Sequence, residues 1–409
     1  MPRLSYQENL AWLYSLQVFG IKLGLDTAHR LIAGLHVDLT RSRVIHVAGT
    51  NGKGSVCAMI DSICRAAGYR TGLFTSPHLV TFRERIRVNG EMISQEAAGT
   101  GLAELRARIV DWDPHPTFFE IATALALRHF AAEDAEVLVL ETGMGGRLDS
   151  TNAVSSDVAV ITPISLDHQK WLGNTVAEIA GEKAGIIKPN RPVISAAQQP
   201  DAQEVLRARA ADCAAPLTYV TESYHGSPLA LRGTHQKQNA AVAIAAIRAA
   251  GLKVDDAAVA RGLASVEWPA RFQCWDKRTV IDGAHNPGAA RVLAETWKEV
   301  FGEQRATLIL AVLNDKDFQE IIEALVPITN EIVLPSIRSE RALSPDDLVK
   351  ALSTITPKLH YSISPSLADA LNAARAKAAP ILLTGSLHFA GEVLAHLRGE
   401  PAAFEECAQ

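Results

Sequence analysis

An α/β chain in two parts is predicted: a large N-terminal domain with a parallel sheet, then a smaller doubly wound α/β domain. Three observations predict it. Short unbroken apolar runs such as Val137-Leu138-Val139-Leu140 and Val158-Ala159-Val160-Ile161 alternate with segments of helical period, as in sheets covered on both faces by crossover helices. The chain has 409 residues, more than one ordinary domain holds. A fresh βα series also begins after the irregular stretch Glu267-Trp268-Pro269-Ala270-Arg271-Phe272. On this reading residues 1–268 form the first domain, 269–277 a linker and 278–409 the second.

Taken in order, the first forty residues read as helical, with Leu10, Leu13, Tyr14 and Leu16 on one face. They break at Phe19-Gly20-Ile21-Lys22-Leu23-Gly24-Leu25-Asp26, which as a bare sequence reads more readily as a plain connection than as a shaped loop near the glycine-rich segment at 49–55. Val44-Ile45-His46-Val47-Ala48 runs into Gly49-Thr50-Asn51-Gly52-Lys53-Gly54-Ser55 and a helix. Three glycines within six residues let backbone amides turn toward an anion. Lys53 reaches terminal phosphates and the Ser55 hydroxyl suits Mg²⁺, so the stretch reads as a P-loop. Its spacing departs from G-x-x-x-x-G-K-[ST], because Gly54 separates lysine from hydroxyl. Val56, Met59, Ile60, Ile63 and Ala67 continue at helical spacing to a stop at Gly68.

The next strand, Arg70 to Thr75, ends in Ser76-Pro77-His78-Leu79, and right-handed βαβ geometry brings that end to the sheet edge that carries the P-loop. A helix from Thr117 leads to the apolar strand that finishes at Glu141, beside Thr142-Gly143-Met144-Gly145-Gly146-Arg147-Leu148-Asp149. A carboxylate at that strand end is where a nucleotide-binding sheet holds Mg²⁺; a merely solvated acid is the bland alternative. After the strand at 158–162 come Ser165-Leu166-Asp167-His168 and the capping box Thr175-Val176-Ala177-Glu178. Lys183 shares the apolar face of Ile179, Ile186 and Ile187, a costly place for an ammonium unless it is paired or modified. His168, a single histidine at a strand end, is more often a satisfied polar residue than a ligand, and spacing alone does not decide between them.

Strands at Val193-Ile194-Ser195 and Leu217-Thr218-Tyr219-Val220 precede an alanine-rich helix from His235 to Ala250. In the second domain, strands near Val280, Leu308, Ile332, Leu359 and Ile381 alternate with helices, two opened by Asn286-Pro287 and Ser344-Pro345. This is a Rossmann-like series without a P-loop of its own.

A net charge of −5 with no dense basic stripe argues against nucleic acid as a partner. The five cysteines are scattered and show no C-x-x-C spacing, so neither a disulfide framework nor a zinc site is expected. No apolar run approaches a membrane span and the first residues carry no apolar signal core, so a soluble, cytoplasmic protein is expected.

The P-loop, Thr75-Ser76-Pro77-His78-Leu79, Glu141 to Asn152, Ser165-Leu166-Asp167-His168, Glu182-Lys183-Ala184-Gly185-Ile186 and Asp282-Gly283-Ala284-His285-Asn286-Pro287 together resemble the motif series of folylpolyglutamate synthase and dihydrofolate synthase, relatives of the Mur ligases. The resemblance spans nearly the whole chain. It implies ATP-dependent amide formation between a pteroate or folate carboxylate and the amine of L-glutamate. It also implies Ser76, Glu141 and His168 as ligands of two Mg²⁺ ions, with Lys183 as a carbamylated lysine. Asn239, Arg271 and Asp282 would complete the ATP site. Ala270 stands where the family usually has glycine.

The residue types suit that chemistry. A carboxylate acylates poorly, so it is expected to take the γ-phosphoryl group of ATP and pass as an acyl phosphate to the amine, with Lys53 and Arg271 neutralising charge. Carbamylation would turn Lys183 from a misplaced cation into an oxygen ligand. His285 and Ser386 are the candidates for holding glutamate, with His285 counted beside Lys53 and Lys183 as catalytic. Thr117-Phe118-Phe119-Glu120 and Leu148-Asp149-Ser150 offer the aromatic wall and polar edge that a pterin needs, with Ile21-Lys22-Leu23 placed to close over it. Adjacent helix positions point about 100° apart, so one of Phe118 and Phe119 belongs to the core. Small-molecule substrates (dihydropteroate, reduced folates and glutamate) and a monomer are expected. A folylpolyglutamate synthase alone, another Mur-type ligase, and a nucleotide-switched binding protein without ligase activity are the competing readings.

Overall fold

The computed structural model describes residues 5–20, 24–314 and 317–405. Ile21, Lys22 and Leu23 lie outside the described residues. The chain divides into two compact units. The first holds residues up to Ser76, Arg83–Ala230 and Lys237–Val266; the second holds Pro77–Phe82, Leu231–Gln236 and everything from Glu267. Both are built on mostly parallel sheets between helices.

The first unit contributes β1 (Arg43–Ala48), β2 (Thr71–Phe74), β3 (Ile86–Val88), β4 (Glu91–Met92), β5 (Val137–Glu141), β6 (Val158–Ile161), β7 (Val193–Ala196) and β8 (Leu217–Val220). They form one eight-stranded sheet in the order β4-β3-β2-β5-β1-β6-β7-β8, with β3 and β4 antiparallel and the rest parallel. Every residue of β5 and all but the first of β1 are buried, so β5 is an unbroken apolar run up to Glu141 and β1 is apolar apart from Arg43 and His46. Register fixes the functional edge. Val47 lies beside Glu141, Ala48 beside Ile161 and Phe74 beside Leu140, so the chain leaves β1, β2, β5 and β6 at one level, at Gly49, Thr75, Thr142 and Thr162.

Local chemistry sets the helices. Lys53–Ala66 follows the P-loop, and Gly68 turns the chain beyond it at φ 91°. Phe118–Ala132 and Val176–Ala184 open with complete capping boxes on Thr117 and Thr175. The alanine-rich helix spans Thr234–Ala249. Among the described residues no helix is long and apolar enough to cross a membrane.

The second unit has β9 (Gln273–Cys274), β10 (Thr279–Ile281), β11 (Ala306–Leu310), β12 (Thr329–Pro335), β13 (His360–Ser364) and β14 (Ile381–Thr384). Their order is β13-β12-β11-β14-β10-β9, parallel except for β9. Asn286 and Ser344 cap the helices Pro287–Phe301 and Pro345–Ile355, each with proline in the first turn. Residues 269–277, read from sequence as a linker, fall inside this unit. Ala270 and Phe272 take left-handed φ values of 56° and 41°, and the chain then pairs antiparallel to β10.

Candidate active site

The P-loop is braced from below. The Thr50 and Asn51 amides both donate to the Pro163 carbonyl, at 3.0 and 3.2 Å, and the Thr50 hydroxyl exchanges hydrogen bonds with the Ser165 backbone. Gly49, at φ 149°, leaves no room for a side chain: a Cβ would lie 1.9 Å from Thr162 Oγ1. Gly52, at φ 89°, faces Asn239, whose Oδ1 would meet a Cβ at 2.9 Å. Asn239, on the alanine-rich helix, therefore lies against the loop at Gly52. Lys53 Nζ donates to the Thr50 carbonyl at 3.2 Å, and Ser55 is buried in the first turn of the helix that begins at Lys53.

Ser76 and Glu141 meet where β2 and β5 end. The Ser76 amide donates to Glu141 Oε2 at 3.1 Å, and the Ser76 hydroxyl is buried without a hydrogen-bond partner. An orphaned hydroxyl beside a buried carboxylate fits a hard cation. Among the described residues no group of three or more His, Cys, Asp or Glu side chains is arranged to hold a metal. One carboxylate and one hydroxyl at these strand ends are donors of the kind Mg²⁺ takes, since that ion keeps much of its octahedron for water and phosphate oxygens. His168 is exposed at a left-handed position, φ 52°, beside Asp167.

Lys183 is buried as its helical spacing requires, and its Nζ donates to the Gly49 carbonyl at 2.8 Å. Burial and then the nearby Lys53 charge lower its pKa to about 7, against the opposing pull of Asp167 and Asp149. The helix that carries it is clasped to the glycine-rich loop after β5. Arg147 N donates to Glu182 O at 2.7 Å, the Arg147 guanidinium pairs with Glu182 at 2.8 Å, and Asn152 Nδ2 donates to Gly185 O at 3.1 Å. Contact here is so close that a Cβ on Gly185 would lie 2.4 Å from Arg147 Cα. Gly185→Ala is therefore expected to cost about 2 kcal/mol, read as a lower urea midpoint at unchanged m-value.

The segments expected to hold a pterin divide by role. Phe118 is buried and stacks on Tyr14, with centroids 5.7 Å apart, so it is the core member of its pair. Phe119 is half-exposed, and its ring lies 2.5 Å from where a Gly143 Cβ would stand. The Thr117 hydroxyl is occupied in its capping box with Glu120. Asp149 spends both oxygens on its own loop: one accepts from the Gly143 and Met144 amides at 2.8 and 2.9 Å, the other from Thr151. Burial raises the Asp149 pKa, while these hydrogen bonds oppose the shift. Ser150 Oγ is paired with Thr123 Oγ1 at 2.6 Å, and Leu148 is half-buried.

In the second unit, Asp282 accepts from the Phe272 and Ala284 amides at 2.7 and 2.8 Å and so holds the left-handed turn around Arg271, whose Nη1 donates to Ala270 O. His285 is half-buried, with Nδ1 2.8 Å from Gly283 O. Ser386, a glutamate-binding candidate, is buried as the N-cap of the helix Leu387–Leu397, its Oγ accepting from Phe389 N at 3.0 Å.

Sequence reasoning assigns no role to His46, Thr151 or Asn152. A histidine amid the aliphatic run Val44-Ile45-His46-Val47-Ala48 is the available signal for the first. Thr151 and Asn152 carry none outside the fold.

Two family models match in chain order. The Mur ligase middle domain covers residues 47–225, and the Mur ligase, glutamate ligase domain covers residues 270–387. The chain is 36% identical to the dihydrofolate synthase/folylpolyglutamate synthase of Bacillus subtilis, over 96% of this chain and 99% of that protein. Its fold is similar to Escherichia coli FolC in complex with DHPP and ADP, with a TM-score of 0.86 at 33% identity over 96% of this chain and 98% of that one. It is also similar to the bifunctional folylpolyglutamate synthase/dihydrofolate synthase of Yersinia pestis complexed with AMPPNP and Mn ion, with a TM-score of 0.84 at 29% identity, covering 97% of this chain and all of the other. Fold, P-loop and matches together define a Mur-type enzyme, an ATP-dependent acid–amino-acid ligase. The chain belongs to the dihydrofolate synthase/folylpolyglutamate synthase family.

Proposed function

We propose that this chain uses ATP to join L-glutamate to dihydropteroate, giving dihydrofolate, and to tetrahydrofolates, giving folylpolyglutamates. The observation that carries it is the shared carboxyl edge. Gly49, Ser76 and Glu141 sit at one level of one sheet, and Phe119 borders the loop that Glu141 enters. The P-loop amides and Lys53 bind the ATP phosphates and hold the γ-phosphoryl group for attack by a pteroate carboxylate oxygen. The bond from γ-phosphorus to ADP breaks as the new P–O bond forms. The glutamate amine then attacks the acyl carbon, phosphate leaves, and the nitrogen gives up its proton.

Ser55, Ser76, Glu141, His168 and carbamylated Lys183 are the residues proposed to hold two Mg²⁺ ions, which when bound supply positive charge opposite the phosphate oxygens. Asn239, Arg271 and Asp282 are assigned to ATP. Leu148, Asp149, Ser150, Thr117 and Phe119 are assigned to the pterin. Asp149 and Thr117 act there by fixing loop and helix start, because their side-chain oxygens already have partners. His285 is assigned to glutamate; Ser386 serves it through the backbone it caps.

The test is an assay of purified enzyme with ATP, Mg²⁺ and glutamate, once with dihydropteroate and once with tetrahydrofolate. Dihydrofolate in the first mixture and extended folate in the second are expected. Extension of tetrahydrofolate alone would reduce the assignment to folylpolyglutamate synthase, and ATP turnover independent of both would return it to a nucleotide switch.

A further inference from the structure

Three consecutive residues of the short turn Ser150–Ala153 fasten three different parts of the first unit. Ser150 bonds Thr123 on the helix Phe118–Ala132, Thr151 bonds His46 on β1, and Asn152 bonds the Gly185 carbonyl behind Lys183. The middle link runs through the protein interior. His46 and Thr151 are both fully buried, with His46 Nε2 2.8 Å from Thr151 Oγ1. Thr151 Oγ1 in turn donates to Asp149 Oδ1, and Asp149 Oδ2 accepts from the Gly143 and Met144 amides.

With Asp149 ionised, as the amides of Gly143, Met144 and Thr151 favour, one proton arrangement satisfies this chain. Asp149 as a carboxylate accepts the hydrogen bond of the Thr151 hydroxyl, so Thr151 Oγ1 faces His46 as an acceptor and the imidazole carries its proton on Nε2. Burial and the Lys188 charge keep that imidazole neutral, with its pKa lowered to about 3. Nδ1 is then a buried acceptor without a partner. A neutral polar ring that leaves one nitrogen unsatisfied inside an aliphatic strand costs stability that valine or leucine would not. What the ring provides is a single N–H aimed at Thr151. From β1, which carries the P-loop, the relay reaches Gly143, against which the Phe119 ring packs.

We infer that His46 is a positioning residue for pteroate binding, acting through Thr151 and Asp149 to hold the loop of residues 142–149 against Phe119. This rests on the pteroate-ligase reading given above. Without the imidazole N–H the Thr151 hydroxyl loses the contact that orients it, and Asp149 keeps its three amide donors but no longer a fixed hydroxyl donor. The loop then samples other arrangements before pteroate binds.

The test compares His46→Leu, His46→Gln and Thr151→Val in the full chain. His46→Leu and Thr151→Val are each expected to raise KM for dihydropteroate about tenfold while KM for ATP stays within about twofold. The double variant should be no worse than either single one, because both cut the same relay. His46→Gln, whose amide reaches the place of Nε2, should recover most of the loss. Amide hydrogen exchange at Gly143 and Met144 should quicken about tenfold in Thr151→Val, with the amides of β7 unchanged. An unmoved dihydropteroate KM and unmoved exchange in Thr151→Val overturn the inference. So does an equal rise in KM for ATP, which marks general damage to β1. If His46→Leu does not fold, Thr151→Val decides. Absence of dihydropteroate turnover by the unaltered enzyme sinks the substrate reading alone, and the exchange measurement then settles the relay by itself.

Discussion

Lys53→Ala is expected to abolish ATP-dependent ligation while the protein stays folded. Lys53 is the only cation in residues 49–55 and stands at the start of a helix, where its ammonium is held over the loop by the Thr50 carbonyl. Removing one such electrostatic contact to a transferring group costs about a thousandfold in rate, on the order of 4 kcal/mol. A second loss compounds it. The Lys53 charge is one of the causes that lower the Lys183 pKa, so its removal leaves the Lys183 amine more fully protonated and less able to take up CO₂. Lys53 is half-exposed and makes a single short-range contact, so thermal unfolding should shift by no more than a few degrees. ADP release dependent on pteroate and glutamate, beside a circular-dichroism melt, reads both halves. Near-normal ligation by the variant would remove the P-loop assignment.

Lys183→Ala is the second large effect. The side chain is buried on the face where its sequence spacing places an apolar residue, with one hydrogen bond to the Gly49 carbonyl. A pKa lowered to about 7 leaves a neutral amine at the pH where carbamylation with CO₂ occurs. The variant should lose activity by at least about a hundredfold and regain part of it with acetate or formate, which return an oxygen ligand to the vacated space. In bicarbonate-free buffer the unmodified lysine has a definite linkage sign. Its folded pKa is depressed, so the unfolded chain binds more protons between about pH 7 and 10.5, and stability rises with pH across that window. A crystal structure with nucleotide and metal that shows a plain ammonium away from Mg²⁺ would count against the modification.

Much of this is legible in the sequence because the relevant signals are local. A capping box, a glycine stop and an apolar run each act within a few residues, and the sites they mark lie where expected at Thr175, Gly68 and Val137–Glu141. Lys183 betrays itself as a charge in an apolar stripe. Phe118 and Phe119 cannot be told apart by spacing, since the partners that decide, Tyr14 for one and Gly143 for the other, are distant in sequence. Asp149 and Ser386 read as free polar groups, whereas the fold commits them to backbone amides within six residues of themselves. Neither residue type in the left-handed turn at Ala270 and Phe272 announces a positive φ; the glycine that the family usually has at position 270 is the available signal for the first, and the second has none.

The order of the first sheet has a consequence for synthesis on the ribosome. β1 emerges early, yet both its neighbours, β5 and β6, are encoded far downstream, and β2 pairs with β5 and not with β1. A nascent chain that has not yet delivered Val137–Glu141 therefore carries the P-loop on a strand with neither edge paired. Such a strand exposes Val44, Ile45 and Val47 along with its amides, so the interval between translating β1 and β5 leaves an apolar edge open to pairing with another chain.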